Sequence, residues 1–100
     1  MSEDTIPMKL LEARDEIDKI DRQLIELLAE RFVLTREVGL IKASSSLEAM
    51  DPEREARKLE AITQLCREKG LNTDFVTGIF QQIMAEVVKN HRSLRGTENG

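Results

Sequence analysis

Residues 8–43 read MKLLEARDEIDKIDRQLIELLAERFVLTREVGLIKA, and their pattern decides the fold. Apolar side chains recur here in steps of three and four, with one interruption at position 31; they are Leu10, Ala13, Ile17, Ile20, Leu24, Leu27, Leu34, Val38 and Ile41, called the seam below. Such alternation is typical of an amphipathic helix that packs on another helix. Neither proline nor glycine interrupts the run before Gly39. The spacing predicts one helix from about residue 8 to residue 43.

A helix of this length is too long for the core of one small chain. It would extend about 50 Å at 1.5 Å per residue, whereas the chain has 100 residues and forms one domain with a modest core. We therefore expect an all-α, three-helix chain that forms an intertwined homodimer through its long helices. The single domain spans residues 1–100, with an ordered core at about 8–94 and flexible termini.

Two shorter helices follow the serine-rich break at residues 44–46. Asp51 and Pro52 suit the start of a second helix, and Gly70 suits its left-handed end. Asn72 caps a third helix. The second helix is expected to bury Leu59, Ile62 and either Leu65 or Cys66; the third is expected to bury Val76, Phe80, Ile83, Val87, His91 and Leu94.

Composition excludes several classes of protein. The net charge of −4 and an aromatic content of 3% argue against a nucleic-acid partner, which calls for basic and stacking side chains. No apolar run approaches the length of a membrane span, and no signal peptide is evident. The single cysteine, Cys66, fits a reducing cytoplasm.

Arg31 stands where the seam calls for an apolar residue, and Lys42 lies at nearly the same angle around the helix. A buried charge needs a partner. One interpretation is a salt bridge from Arg31 to Glu55 or Glu86. The other is an anion site, with Arg31 as a bidentate fork and Lys42 as a point donor.

Arg14 also borders the seam, but 17 residues, about 25 Å of helix, separate it from Arg31. The two side chains of one chain cannot share a small ligand. Arg14 is therefore either a solvated charge or a donor to the site of a partner chain.

The remaining chemistry-bearing residues form no familiar catalytic set. A dyad of Cys66 and His91 is unsupported, and the sequence has neither a glycine-rich phosphate loop nor a Glu-x-x-His metal pair. We expect no cofactor and no metal. If the chain is an enzyme, its chemistry depends on positioned charge.

With Arg14, the segments LLAERFVLTREVGLIK (residues 27–42) and DPERE (residues 51–55) resemble the all-helical class of chorismate mutases. The resemblance covers roughly residues 8–94. It implies an intertwined homodimer and the isomerisation of chorismate to prephenate, in the shikimate pathway to aromatic amino acids. This pericyclic Claisen rearrangement needs a compact substrate conformer and a stabilised ether oxygen, without covalent, acid or base catalysis.

The resemblance also implies roles for individual residues. Arg31, and Arg14 of the partner chain, bind substrate carboxylates, while Lys42 bridges a carboxylate and the ether oxygen. Arg54 helps to order the site. Asp51 and Glu55 receive the ring hydroxyl or orient the cations, although Asp51 also suits a purely structural helix cap.

The third helix departs from the commonest family pattern. Many relatives have a serine that contacts the ring carboxylate where this chain has Val87, and a glutamine or glutamate at the ether oxygen where it has His91; some bacterial relatives share an EV-x-x-x-H ending. His91 is therefore a candidate catalytic donor in the family alignment. By helical spacing alone it is a core histidine with a satisfied hydrogen bond.

Two rival functions remain. EKGLNTDFVTGIFQQIM (residues 68–84) also resembles isochorismate pyruvate lyases of the same fold, although those tend to shorten the loop after the lysine and to lack carboxylates at the Asp51 and Glu55 positions. The second rival is a non-catalytic helical dimerisation module, which would explain the seam but not the inward Arg31 and Lys42.

Overall fold

The chain folds into three α-helices in a computed structural model that describes residues 6–99, with side chains for residues 6–95. They are α1 (Met8–Ser44), α2 (Pro52–Lys69) and α3 (Thr73–Asn99). Residues 6–99 contain no strand. The predicted all-α fold with one very long N-terminal helix is therefore confirmed.

The helix ends lie close to the predicted positions, with one difference at the C-terminus. The 37 residues of α1 end at Ser44, one residue beyond the predicted end. However, α3 continues to Asn99, past the expected core boundary near residue 94. The predicted flexibility of residues 1–5 and of Gly100 concerns positions outside the described residues.

The chain divides into two units within α1, one up to Val33 and one from Leu34. In the first unit, residues 7–30 are all exposed, and the seam residues Leu24 and Leu27 are 60% and 61% exposed. Lys19 lies 3.2 Å from Glu16 and 3.3 Å from Asp15. The Lys19 ammonium group donates hydrogen bonds to both carboxylates, and these bonds raise the pKa of Lys19; the bond to Glu16 has the larger effect.

The second unit contains the core between α2 and α3. Its buried residues are Ile62, Cys66 and Met84, and the partly buried residues packed on them are Leu59, Val76 and Phe80. Of the two residues predicted as alternatives for the buried position, Cys66 is buried, whereas Leu65 is 53% exposed. On α3, Met84 is buried although it was not among the residues predicted to be buried, and Ile83, which was predicted to be buried, is half-buried.

The predicted caps of α2 and α3 are confirmed. Asp51 has extended backbone angles, and its Oδ1 accepts the Arg54 N–H at 3.1 Å ahead of Pro52. At the other end, Gly70 has φ 69°, the left-handed conformation. The Asn72 Oδ1 accepts the Phe75 N–H at 3.0 Å, which satisfies a donor at the start of α3.

The end of α1 is closed by a left-handed serine. Ser46 has φ 58°, and its N–H donates to the Ala43 carbonyl at 3.3 Å. The next N–H, of Leu47, donates to the Lys42 carbonyl at 2.8 Å. Two of the carbonyls that a helix end leaves without helical partners are thereby satisfied.

Candidate active site

Arg31 is half-buried, and its Nη1 is buried without a hydrogen-bond partner among the described residues. One predicted salt-bridge partner, Glu86, lies 3.9 Å from Lys89 instead. A buried N–H without an acceptor costs about 1–3 kcal/mol. Arg31 is thus equipped to bind an acceptor that the described part of the chain does not provide.

Arg14 lies in the same unit and is exposed. No ion pair involves its guanidinium in the part of the chain that the structure describes. Exposure fits both interpretations of Arg14, as a solvated charge and as a donor to a partner chain.

Lys42 is half-buried at the last turn of α1, where a cation interacts favourably with the negative end of the helix dipole. Within residues 6–95, its ammonium group forms no ion pair. Its backbone carbonyl is held by the Leu47 N–H. The main chain of Lys42 is therefore fixed, while its charged group remains available to an anion.

The acidic and basic residues at the start of α2 are arranged by the cap. Asp51 Oδ1 accepts from the Arg54 backbone, which matches the structural interpretation of Asp51. The Asp51 carbonyl also accepts the Glu55 N–H at 3.0 Å. Asp51 and Arg54 are exposed and Glu55 is half-buried. Local helix geometry thus keeps these three predicted site residues together.

Glu55 lines a groove between α2 and α3 that has a volume of about 410 Å³. Its lining residues are Met50, Glu55, Gln81, Ala85, Val88, Lys89 and Arg92. Val87 and His91 are absent from this lining, so the groove does not bring Glu55 together with the predicted α3 contacts. Sequence reasoning had not singled out Lys89 and Arg92; their signal is helical spacing, since Lys89 follows Ala85 by four residues and Arg92 follows Val88 by four.

His91 is 3% exposed on α3, and its Nε2 lies 2.8 Å from the Thr35 carbonyl oxygen in α1. A carbonyl oxygen only accepts, so Nε2 carries the proton and donates. The other nitrogen, Nδ1, is buried without a hydrogen-bond partner in the described chain. In the neutral ring Nδ1 is an acceptor, so donation from His91 to an ether oxygen would require the imidazolium form.

Two more residues escaped the sequence-based prediction. Gly39 is buried against His91, and its signal was a single glycine inside an otherwise helical pattern. Arg95, one turn beyond His91, has a buried Nη2 without a hydrogen-bond partner in residues 6–95. Val87, by contrast, is half-buried on α3 and brings no polar group.

Other kinds of site find no support in the described residues. No group of three His, Cys, Asp or Glu side chains gathers there as a metal site. Across residues 6–99, no helix has the length and apolar character that a membrane crossing requires.

The fold and these side chains define an all-helical protein whose candidate binding groups are cations, chiefly Arg31 and Lys42. The chain belongs to the chorismate mutase type II family, whose family model matches residues 13–92.

Named relatives support this membership. A chorismate mutase of Methanocaldococcus jannaschii is 38% identical over 73 residues, which are 73% of this chain and 74% of that protein. A bifunctional chorismate mutase/prephenate dehydratase of Buchnera aphidicola is 36% identical over 85 residues, 85% of this chain and 22% of that protein. The T-protein of Haemophilus influenzae is 35% identical over 81 residues, 81% of this chain and 22% of that protein. The chain thus spans about a fifth of the length of the latter two relatives.

Proposed function

We propose that this protein is a chorismate mutase, an isomerase that converts chorismate to prephenate. In this intramolecular rearrangement the ether carbon–oxygen bond breaks and a carbon–carbon bond forms, and no atom or proton is gained or lost. Family membership and the relative named chorismate mutase support the proposal. A cytoplasmic location is part of it, supported by the single cysteine.

The buried Nη1 of Arg31, which has no hydrogen-bond partner in the described residues, is the observation that carries this proposal. Arginine presents a planar fork of donors that matches a carboxylate, and chorismate has two carboxylates. Arg31 binds one of them in the proposed site. Lys42 bridges a carboxylate and the ether oxygen, on which negative charge develops in the transition state. Arg54 orders the site.

Asp51 and Glu55 receive the ring hydroxyl or orient the cations. For Asp51, this role is combined with the cap of α2, in which Oδ1 accepts the Arg54 N–H. Val87 contributes an apolar wall from α3. His91 is a further donor candidate from the family resemblance, on the condition that Nδ1 is protonated.

A homodimer is the second part of the proposal, and exposure of the seam supports it. Leu24 and Leu27 are more than half exposed, and residues 7–30 contain no buried side chain. An isolated helix without tertiary packing is marginal in water, and a contiguous exposed apolar face marks an interaction surface. The seam of a second copy supplies matching apolar side chains, and Arg14 of that copy completes the site.

Pure protein incubated separately with chorismate and with isochorismate tests the activity. We expect chorismate to be consumed with formation of prephenate, and Arg31→Ala to lower kcat/KM by about a hundredfold or more, since a charged contact in the transition state is lost. Arg22→Ala, an exposed arginine on the same helix, is the matched control and should keep full activity.

Other outcomes separate the rival functions. Salicylate and pyruvate from isochorismate, without prephenate from chorismate, would establish the lyase. No turnover of either substrate, together with a higher melting temperature for Arg31→Ala, would establish the dimerisation module, because a seam without a ligand gains from losing a buried charge.

Mixing two inactive variants tests the shared site. Arg14→Ala and Arg31→Ala chains that exchange subunits form a heterodimer in which one site keeps both arginines, so activity should return to about a quarter of the wild-type value at equal mixing. Subunit exchange is verified with differently tagged chains. Exchange without any recovered activity would refute the donation of Arg14 to the partner chain.

A further inference from the structure

Gly39 leaves a notch in α1 that the His91 ring fills. A Cβ atom at position 39 would lie 2.5 Å from His91 Cδ2, 3.0 Å from His91 Nε2 and 3.0 Å from Leu94 Cδ1. The first distance is shorter than van der Waals contact allows, and Cδ2 belongs to a rigid ring. Gly78, inside α3, differs because a Cβ there would meet nothing within 4 Å. Gly39 is therefore needed for space, whereas Gly78 is not.

The notch exposes a backbone acceptor. In an α-helix the carbonyl of Thr35 accepts the N–H of Gly39, four residues later, and its second lone pair can accept another donor. Because Cβ atoms tilt towards the helix N-terminus, a side chain at position 39 would stand beside this carbonyl. Its absence lets the Nε2–H of His91 approach the oxygen to 2.8 Å.

The Gly39 notch lies about one helical turn before Lys42, and Thr35 lies about two turns before it. Lys42 is three positions after Gly39, a rise of about 4.5 Å. On the far side, the Leu47 N–H holds the Lys42 carbonyl at 2.8 Å. The turn that carries Lys42 thus lies between two hydrogen-bonded anchors, one of them the His91 ring on α3.

We propose that Gly39 is a positioning residue. Its notch admits the His91 ring, whose bond to the Thr35 carbonyl sets the position of α3 against the turn that carries Lys42. The inference rests on the proposed mutase function for its catalytic consequence, though not for the contact itself. It also assigns His91 a positioning role through its engaged Nε2–H, separate from the donation that a protonated Nδ1 would provide.

Kinetics of Gly39→Ala measure the catalytic consequence. We expect kcat to fall about 10- to 100-fold with a smaller change in KM, because a displaced Lys42 weakens the transition state more than it weakens substrate binding. Gly78→Ala is the control and keeps the wild-type kcat. A wild-type kcat for a folded Gly39→Ala protein would refute the positioning role.

A double-mutant cycle keeps the test valid if Gly39→Ala folds poorly. His91→Ala removes the ring that the new methyl group would meet, so Gly39→Ala should have little further effect on kcat in that background. His91→Gln, whose amide nitrogen replaces the Nε2–H donor, should recover most of the kcat lost in His91→Ala. Independent effects of the two sites, or no recovery with glutamine, would contradict the proposal.

Nitrogen NMR tests the contact without turnover. His91 is the only histidine of the chain, so its ring gives a single set of imidazole signals. We expect Nε2 to carry a proton in wild type and in Gly78→Ala, as the bond to the Thr35 carbonyl requires, and an altered ring spectrum in Gly39→Ala. A ring whose Nε2 carries no proton, or an unchanged spectrum in Gly39→Ala, would overturn the contact, whether or not the protein is a mutase.

Discussion

The N-terminal part of α1 and the α2–α3 pair use apolar residues in opposite ways. In the pair, Ile62, Cys66 and Met84 are buried within the chain. Along residues 7–30, the apolar side chains recur as regularly, yet none is buried. The same type of pattern therefore stabilises one region internally and leaves the other exposed in the described chain, where we propose that a second copy packs.

The helix-cap side chains and Arg31 differ in how their polar groups are paired. The carboxylate of Asp51 and the amide oxygen of Asn72 accept local backbone N–H groups at the starts of α2 and α3. Arg31, at the end of the exposed region, has a buried Nη1 without an acceptor in the described residues. The cap groups of α2 and α3 thus pair locally, whereas Arg31 Nη1, like His91 Nδ1 and Arg95 Nη2 on α3, lacks a hydrogen-bond partner in the described residues.

Among the substitutions that test this difference between the two regions, a charge on the seam should have the largest effect on assembly and helix content. Leu27→Glu places a carboxylate where we expect a second copy to pack, and the burial cost of an unpaired charge exceeds what a small dimer can tolerate. We expect loss of the dimer in analytical ultracentrifugation and loss of the helical circular dichroism of α1, while α2 and α3 keep theirs.

Ala29→Glu is the matched control for Leu27→Glu. It adds the same charge to the same helix, at an exposed position on the face opposite the seam. It should remain dimeric and helical. A helical, monomeric Leu27→Glu would show that the exposed region of α1 needs no partner, and the contrast between the two regions would be lost.

A cavity in the α2–α3 core should have the next largest effect. Ile62→Ala removes a buried side chain, so the free energy of unfolding should fall by about 3 kcal/mol. Leu65→Ala, on the same helix but 53% exposed, should cost less than about 1 kcal/mol. Denaturation at one fixed protein concentration measures both, because dimer stability depends on concentration. Equal losses would mean that Leu65 is buried in the assembly.

Much of the fold was predictable because the relevant signals are local. The cap residues Asp51, Gly70 and Asn72 act within four residues of themselves, and the sequence places them correctly. The choice of Cys66 over Leu65 was not predictable, since the two residues lie on either side of the Ile62 position around the helix, at about 40° and about 60° from it, and only the packing of α3 distinguishes them.

The site was less predictable than the fold. Spacing identified Arg31 as an unusual charge on an apolar face, and its unpartnered Nη1 agrees with that interpretation. The role of His91 depended on Gly39 and the Thr35 carbonyl, 52 and 56 positions away along the chain. No helical pattern encodes such a contact, because it arises only when α3 packs on the notch.

The smallest predicted effects compare two helix ends with the same hydrogen bonds. At the end of α2, Gly70 donates to the Arg67 carbonyl at 3.4 Å and Leu71 to the Cys66 carbonyl at 2.9 Å, which reproduces the pair at Ser46 and Leu47. The left-handed residue is glycine at φ 69° in one case and serine at φ 58° in the other. Only the serine carries a Cβ atom in that conformation.

Adding a Cβ atom at one helix end and removing it at the other should therefore change the free energy of unfolding in opposite directions. Gly70→Ala should lower the free energy of unfolding by about 1 kcal/mol, entirely through the backbone conformation, since a Cβ there meets nothing within 4 Å. Ser46→Gly should raise it by about 0.5 kcal/mol, because glycine removes the strain of a left-handed L-residue but adds flexibility to the unfolded chain. Urea denaturation of both variants beside wild type gives the two signs. If Ser46→Gly lowered stability, its hydroxyl would hold the turn after Lys42 by an interaction stronger than the backbone strain.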